Sequence, residues 1–176
     1  MWNGTELHLH SFAPIADDSS QLLIVGSMPG KASLQAKQYY AHPRNLFWKI
    51  IGSFFDFDPA SPYEIRIAKL LGERIALWDV LESCTRKSSL DSDIDNSTIV
   101  PNDFEAFLQA HPAIRGIYFN GVKADDSYRK HVLAGIPANL DISYHRLPST
   151  SPANAAISYQ KKLEIWRIVR RAVSRR

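Results

Sequence analysis

The chain has one cysteine, Cys84, among its 176 residues. A single thiol excludes an internal disulfide and any zinc site built from several cysteines, and it fits a reducing compartment. Long hydrophobic runs are also missing: no uninterrupted apolar stretch approaches the roughly 18 residues that a membrane span needs. The opening MWNGTELHLHSF has neither a basic start nor a long apolar segment, so it does not read as a secretory signal. These absences predict a cytoplasmic protein with no membrane partner. Glycine and proline number 8 and 10, too few for a low-complexity chain. No GxxxxGK followed by Ser or Thr occurs, nor GxGxxG, which removes the two commonest phosphate-cradling loops. His8 and His10 alternate in a predicted edge segment without a third ligand nearby, and no metal site is expected from them.

What remains is an ordinary globular composition, 45% hydrophobic and 22% charged, long enough for one domain with a full core. The net charge is +3, a mild excess that permits nucleic acid as a partner without requiring it. The excess is concentrated at the end, where RIVRRAVSRR carries five arginines. Cations suit a helix C-terminus and a solvated tail. Contact with phosphates is the alternative.

Four short segments, near-continuous in Val, Ile, Leu and aromatics, read as strands buried on both faces: residues 21–27, 74–80, 114–121 and 141–149. Between them lie helical patterns in PRNLFWKIIGSFF, SPYEIRIAKLLG, PNDFEAFLQAH and VKADDSYRKHVLAG, and a last helix is expected to open at SPANAA. Alternating strands and helices predict a three-layer α/β/α sandwich around a four-stranded parallel sheet, with residues 1–176 as one domain. The stretch 82–101 reads as the longest irregular segment, a binding loop or a plain surface loop.

Ligands in such sheets bind beyond the carboxyl ends of the strands. Those ends carry Gly26, Ser27, Met28, Pro29 and Gly30; Trp78 and Asp79; Asn120 and Gly121; and Pro148, Ser149, Thr150, Ser151 and Pro152. Glycine backbone admits close approach by a ligand, although a plain strand-to-helix turn would use the same residues. In PSTSPANA, Ser151 is expected to cap the last helix and Pro152 to enter its first turn, which would leave free N–H groups as an anion site or simply an N-cap. Asn45, placed one turn into an aromatic-rich helix, offers a donor and an acceptor that can hold a base edge or orient a water. Phe47 is the candidate plate for a flat ring, whereas Trp48 reads as core. His42, His111 and His131 have no partner evident in sequence, and Cys84 reads as inert.

The segment GSMPGKASLQAKQYYAHPRNLFW resembles the first motif of hypoxanthine-DNA glycosylases, or DNA-deoxyinosine glycosylases, of the uracil-DNA glycosylase superfamily. LPSTSPANA is similar to the superfamily's second motif, the loop that enters DNA, and ALWDVLESCTRKSSLDSDI resembles the middle of the same family. The likeness runs from roughly residue 20 to 168, leaving the basic end 167–176 outside its core. It implies the same parallel sheet between helices and the excision of a deaminated base from DNA, with hypoxanthine as substrate. No lysine sits in these motifs strongly enough for Schiff-base lyase chemistry, so a monofunctional hydrolase, monomeric and without metal or organic cofactor, is expected. A mismatch-type uracil-DNA glycosylase and a non-catalytic damage-binding protein of the same fold are the alternatives.

The resemblance carries roles onto single residues. The asparagine of the family's HPxN segment falls on Asn45 in HPRN, as the group acting on the water or on the leaving base. Met28 stands where many superfamily members place Asp or Asn before the proline, and Leu147 where several place histidine, so excision of uracil by that usual pair is not expected. Gly30 occupies the place of a tyrosine that walls off bulky bases in some uracil enzymes, and a glycine leaves room for a purine. Asp79 is the second candidate for activating water. Gly26 to Gly30, Tyr40, Phe47, Trp78 and Asn120 are expected around the base. Pro148 to Asn154, including Ala153, are expected to grip backbone phosphates and fill the gap in the helix.

Overall fold

The computed structural model describes residues 7–174. Arg175 and Arg176 of the arginine-rich end lie outside these. The strands are β1 (Leu7–His10), β2 (Leu22–Gly26), β3 (Ile75–Asp79), β4 (Leu81–Arg86), β5 (Ile94–Pro101), β6 (Gly116–Asn120) and β7 (Ser143–Leu147). The helices are α1 (Lys31–Ala36), α2 (Phe47–Phe55), α3 (Tyr63–Gly72), α4 (Phe104–Ala110), α5 (Val122–His131) and α6 (Tyr159–Ser174). No helix among the described residues is long and apolar enough to cross a membrane.

The four apolar segments form one sheet in the order β3-β2-β6-β7, with every pairing parallel. The strands are apolar on both sides because both sides are covered. Leu23 and Val25 of β2 face a core shared with Phe104 and Phe107 of α4 and Tyr128 of α5. Leu22 and Ile24 face the opposite core, made with α2, with Leu70 of α3, and with Trp166, Val169 and Val173 of α6. The i, i+3, i+7 spacing of the α6 residues puts them on one buried stripe.

The stretch 82–101 is not irregular. It contains most of β4 and β5, which with β1 make a second, antiparallel sheet in the order β1-β4-β5. Two register shifts, between Leu81 and Ser83 and between Ser83 and Thr85, break the two-residue alternation. Asp95, Asn96 and Ser97 of β5 are exposed, so the strand carries little apolar signal. This sheet packs Leu81, Cys84 and Ile94 onto the α4 and α5 side of the core. Residues 87–93 bridge its two longer strands across the carboxyl end of the main sheet.

β2 and β6 are neighbours, yet the chain leaves β2 toward the α2 and α3 face and leaves β6 through α5 toward the other face. Where neighbouring strands part in this way, their carboxyl ends open a crevice. In register across this end stand Asp79, Gly26 and then Asn120 beside Leu147.

Candidate active site

The crevice is a cleft of ≈ 1410 Å³ bordered by the strand ends, the segment 39–45, the connection 89–96 and the segment 146–154. Its floor is Gly26. A Cβ at that position would lie 2.4 Å from Asp79 Oδ1 and 3.2 Å from the Tyr40 hydroxyl. Any side chain there would displace the carboxylate, so glycine is required by what crosses above it. Gly121 has φ +105°, and a Cβ on it would meet Ser149 Cβ at 2.9 Å, so the ends of β6 and β7 approach as closely as they do only with glycine.

The turn after β2 is held from the second sheet. Arg86, 1% exposed, donates from Nη2 to the Pro29 carbonyl. Ser27 Oγ donates to Asp91 Oδ1 at 2.6 Å, and Lys31 N donates to Ser89 Oγ at 3.0 Å. The connection 87–93 therefore forms one wall of the cleft. Asp91 and Arg86 escape a reading of the sequence because the polar, bulged strands that place them resemble a loop; the mixed charge of CTRKSSLDSD is the only local sign.

Asp79 is 3% exposed, and its Oδ2 has no hydrogen-bond partner. Burial, then the nearby Asp91 carboxyl, push its pKa up to about 7, with the Arg86 guanidinium pulling the other way. Asp91 is raised too, by crowding around its carboxyl group against the hydrogen bond from Ser27 and the charges of Arg86 and Lys123. The Tyr40 hydroxyl is buried and completes no hydrogen bond. Burial and Asp79 raise its pKa, and the Asn120 amide offsets this only in part.

Asn45 lines the cleft but precedes α2 instead of lying one turn inside it. Its Oδ1 accepts the Phe47 backbone N–H at 2.9 Å, and its own N–H donates to the His42 carbonyl at 2.8 Å. The amide is thus oriented, with Oδ1 engaged by the helix start and Nδ2 left as the donor for a ligand. Phe47 does not reach the cleft. It is fully buried, stacked beneath Tyr40 with ring centroids 4.0 Å apart and edge-on to Trp48 and Trp166. The ring that borders the cleft is Tyr40, whose positive φ of 56° turns it over the floor. Trp78 is likewise a core residue, packed 4.8 Å from the rings of both Phe104 and Phe107.

Met28, Pro29 and Gly30 line the cleft; Met28 also belongs to the core, as does Leu147. Asn120 borders the cleft, and each end of its amide makes one hydrogen bond to Thr150, donating to Oγ1 and accepting from N, each at 2.9 Å. It braces the loop and keeps a second N–H on its amide, on the side of the Tyr40 hydroxyl, for a ligand in the cleft. Thr150 is fully buried, and its carbonyl accepts from Leu46 N at 3.0 Å, so it can neither grip a phosphate nor fill a gap.

The last helix begins at Tyr159, not at Ser151. The segment 148–158 is a loop of turns. Ser149 Oγ accepts from Ser151 N at 3.2 Å, and Ser151 Oγ accepts from Ala153 N at 3.3 Å. Asn154 Nδ2 donates to the Ser149 carbonyl, its own carbonyl accepts from Lys162 Nζ, and Trp166 Nε1 donates to the Pro148 carbonyl. The helix-terminal anion site expected from SPANAA is replaced by a pinned loop in which Thr150 is buried and Ser149, Ser151, Pro152 and Ala153 are among the residues open to solvent. Lys31, Arg44, Lys123 and Arg146 stand around the cleft as cations.

Residues 13–170 match the family model of the uracil DNA glycosylase superfamily. A protein of Methanosarcina acetivorans named hypoxanthine DNA glycosylase is 34% identical over 159 residues, covering 90% of this chain and 95% of its own. A protein of the same name from Methanosarcina barkeri is 35% identical over 116 residues, 65% of this chain and 72% of its own. A solution NMR structure from M. acetivorans, described as a candidate uracil DNA glycosylase, superposes with a TM-score of 0.79 at 33% identity, covering 95% of this chain and 99% of the other.

Proposed function

The chain belongs to the uracil-DNA glycosylase superfamily, and from that premise we propose that it excises hypoxanthine from deoxyinosine in DNA by hydrolysis of the N-glycosidic bond. Two relatives that bear the name hypoxanthine DNA glycosylase support the substrate. The proposal has it work as a monomer in the cytoplasm on DNA that carries the damaged base.

The observation that carries this reading is the oriented amide of Asn45 at the mouth of a cleft whose floor is a glycine. A base within a duplex is out of reach, so the nucleotide must swing out, at a cost of a few kcal/mol. The cations at the rim, Lys31, Arg44 and Lys123, suit the flanking phosphates. Ser149, Ser151, Pro152 and Ala153 face the vacated stack. Tyr40 supplies a flat surface beside the extruded base, backed by Phe47.

Bond cleavage puts positive charge on the sugar and negative charge on the base. A preoriented donor aimed where negative charge develops lowers the barrier. Asn45 acts on the departing base by donating from Nδ2, or on the attacking water by accepting from it at the second lone pair of Oδ1, the first being engaged by Phe47 N. Met28 provides no such group, and the hypoxanthine ring asks for less help than adenine because its 6-oxo group spreads negative charge.

Duplexes with a single deoxyinosine or deoxyuridine, incubated with the protein and then treated with alkali, test the reading. Breakage at deoxyinosine is expected. An intact strand at both lesions would remove the glycosylase activity, and breakage at deoxyuridine alone would move the substrate to uracil. Asn45→Ala is expected to lose most of its turnover with its circular dichroism unchanged; undiminished turnover would strip Asn45 of its role.

A further inference from the structure

We propose that Asp79 is the acid of this site, giving its proton to a ring nitrogen of the base as that base departs. The inference rests on the excision activity proposed above and adds a residue and a direction of proton transfer to it.

Asp79 closes β3 in register with Gly26 and borders the cleft, yet only 3% of it is exposed. Its Oδ1 lies over Gly26 and its Oδ2 has no hydrogen-bond partner. The Tyr40 hydroxyl lies near the same point and is also buried and unmatched. Leaving a buried polar atom unmatched costs about 1–3 kcal/mol. Both atoms belong to residues that border one cleft, and a small rotation of each would match it with the edge of a heterocyclic base, which carries acceptors and donors side by side.

The chemistry then fixes the form of the carboxyl group. An ionised Asp79 would repel the electron pair that collects on the base, whereas the neutral acid stabilises it and can hand over its proton. Burial favours the neutral form above all, and the charges around Asp79 then adjust it. From the connection between β4 and β5, Asp91 repels a second negative charge; from β4, Arg86 attracts it; from the segment after α1, Tyr40 is uncharged at neutral pH; from β6, Asn120 is a neutral amide. Lys123 of α5 faces Asp91. The balance leaves the group near pKa 7, able both to hold and to release a proton in neutral solution.

The step balances. The C1′–N9 bond breaks and its electron pair passes into the purine. The Asp79 proton moves to another ring nitrogen, and hypoxanthine leaves neutral. Water adds its hydroxyl to C1′, and its remaining proton reprotonates the carboxylate through solvent. One water is consumed and no other reactant is needed.

The sign of the pH dependence separates this role from activation of water, which an ionised Asp79 would perform. Single-turnover release of hypoxanthine from a deoxyinosine duplex is followed from about pH 5 to about pH 9. The expected profile is level at low pH and falls about tenfold per unit above the midpoint of the acid. Asp79→Asn, which keeps the shape of the neutral acid, is expected to be at least about 10²-fold slower and to show no such fall. It should still bind a duplex carrying a non-cleavable 2′-fluoro deoxyinosine as tightly as the unchanged protein. A rate that rises with pH, a flat profile of the unchanged protein, or an Asn variant at full rate would each overturn the assignment. Should Asp79→Asn fail to fold, the profile of the unchanged protein decides alone. Absence of base release at every pH would overturn the excision reading and this inference together, whereas release with a flat profile would overturn only the second.

Discussion

Asn120 and Thr150 hold each other through two hydrogen bonds of 2.9 Å, side chain to side chain and backbone N–H to amide oxygen. The pair joins the end of β6 to the loop of the second motif. Because the Thr150 carbonyl accepts from Leu46 N, the same clamp reaches the residue beside Asn45. Asn120→Ala is therefore expected to cost about 1–3 kcal/mol of stability, since it leaves a buried N–H and hydroxyl unmatched. It should slow excision at least tenfold, although its side chain need not touch the base. Chemical denaturation and single-turnover kinetics check both parts. Asn120→Asp keeps the acceptor for Thr150 N and should fall between Ala and the unchanged protein.

The two glycines of the first motif should respond differently. Gly26→Ala drives a methyl group to within 2.4 Å of the Asp79 carboxylate, a contact that forces the carboxylate to move. A loss of roughly 1–3 kcal/mol and of nearly all activity is expected. Gly30 has φ −73°, and its nearest neighbour to a new Cβ is Ser89 Cβ at 3.9 Å. Gly30→Ala should stay within about 0.5 kcal/mol of the unchanged protein. Thermal unfolding of the two variants side by side decides the matter.

Tyr40 and Phe47 form a stacked pair in which one ring borders the cleft and the other does not. Phe47→Ala empties a fully buried site between Tyr40, Trp48 and Trp166, with an expected cost of about 3–5 kcal/mol. Its loss of activity should follow its loss of fold. Tyr40→Phe removes a buried hydroxyl that has no partner, so stability should hold or rise slightly while excision weakens. Denaturation midpoints set against single-turnover rates separate the two rings.

Those rings show where the sequence is legible and where it is not. The four parallel strands announce themselves because residues such as Leu22 to Val25 are buried on both faces and cannot be polar. The Trp166, Val169, Val173 stripe of α6 is readable for a similar reason. Which aromatic of Tyr40, Phe47 and Trp48 faces a ligand is not readable, because it depends on a left-handed turn at a non-glycine residue, Tyr40, that no local pattern specifies. Asp91 and Arg86 are hidden by a strand pair whose bulges erase the alternation. Ser151-Pro152 has the chemistry of a helix start, but Asn154, Lys162 and Trp166 hold that segment as a loop and delay α6 to Tyr159. Tertiary hydrogen bonds override the local signal there.

Asp79 should also set the pH dependence of stability, with a sign that can be worked out. Its ordinary value is 3.8, and burial, then Asp91, raise it to about 7 in the folded chain. Between those values the unfolded chain has lost the proton and the folded chain keeps it. The folded state binds more protons, so stability falls as pH rises through that window. Below it Asp79 imposes no penalty; above about pH 7 the penalty is complete, on the order of 4 kcal/mol. Asp91 is raised too, and its part of the slope persists when Asp79 is changed. Asp79→Asn has no proton to lose. Its unfolding free energy should exceed that of the unchanged protein at about pH 8, with the gain shrinking toward nothing at about pH 4. Urea denaturation at the two pH values measures this, and a variant less stable at about pH 8 would show that the buried carboxylate is matched by a partner. A chain that gains stability by losing this carboxyl group yet releases hypoxanthine more slowly would mark Asp79 as a residue held against the interest of the fold for the sake of the reaction.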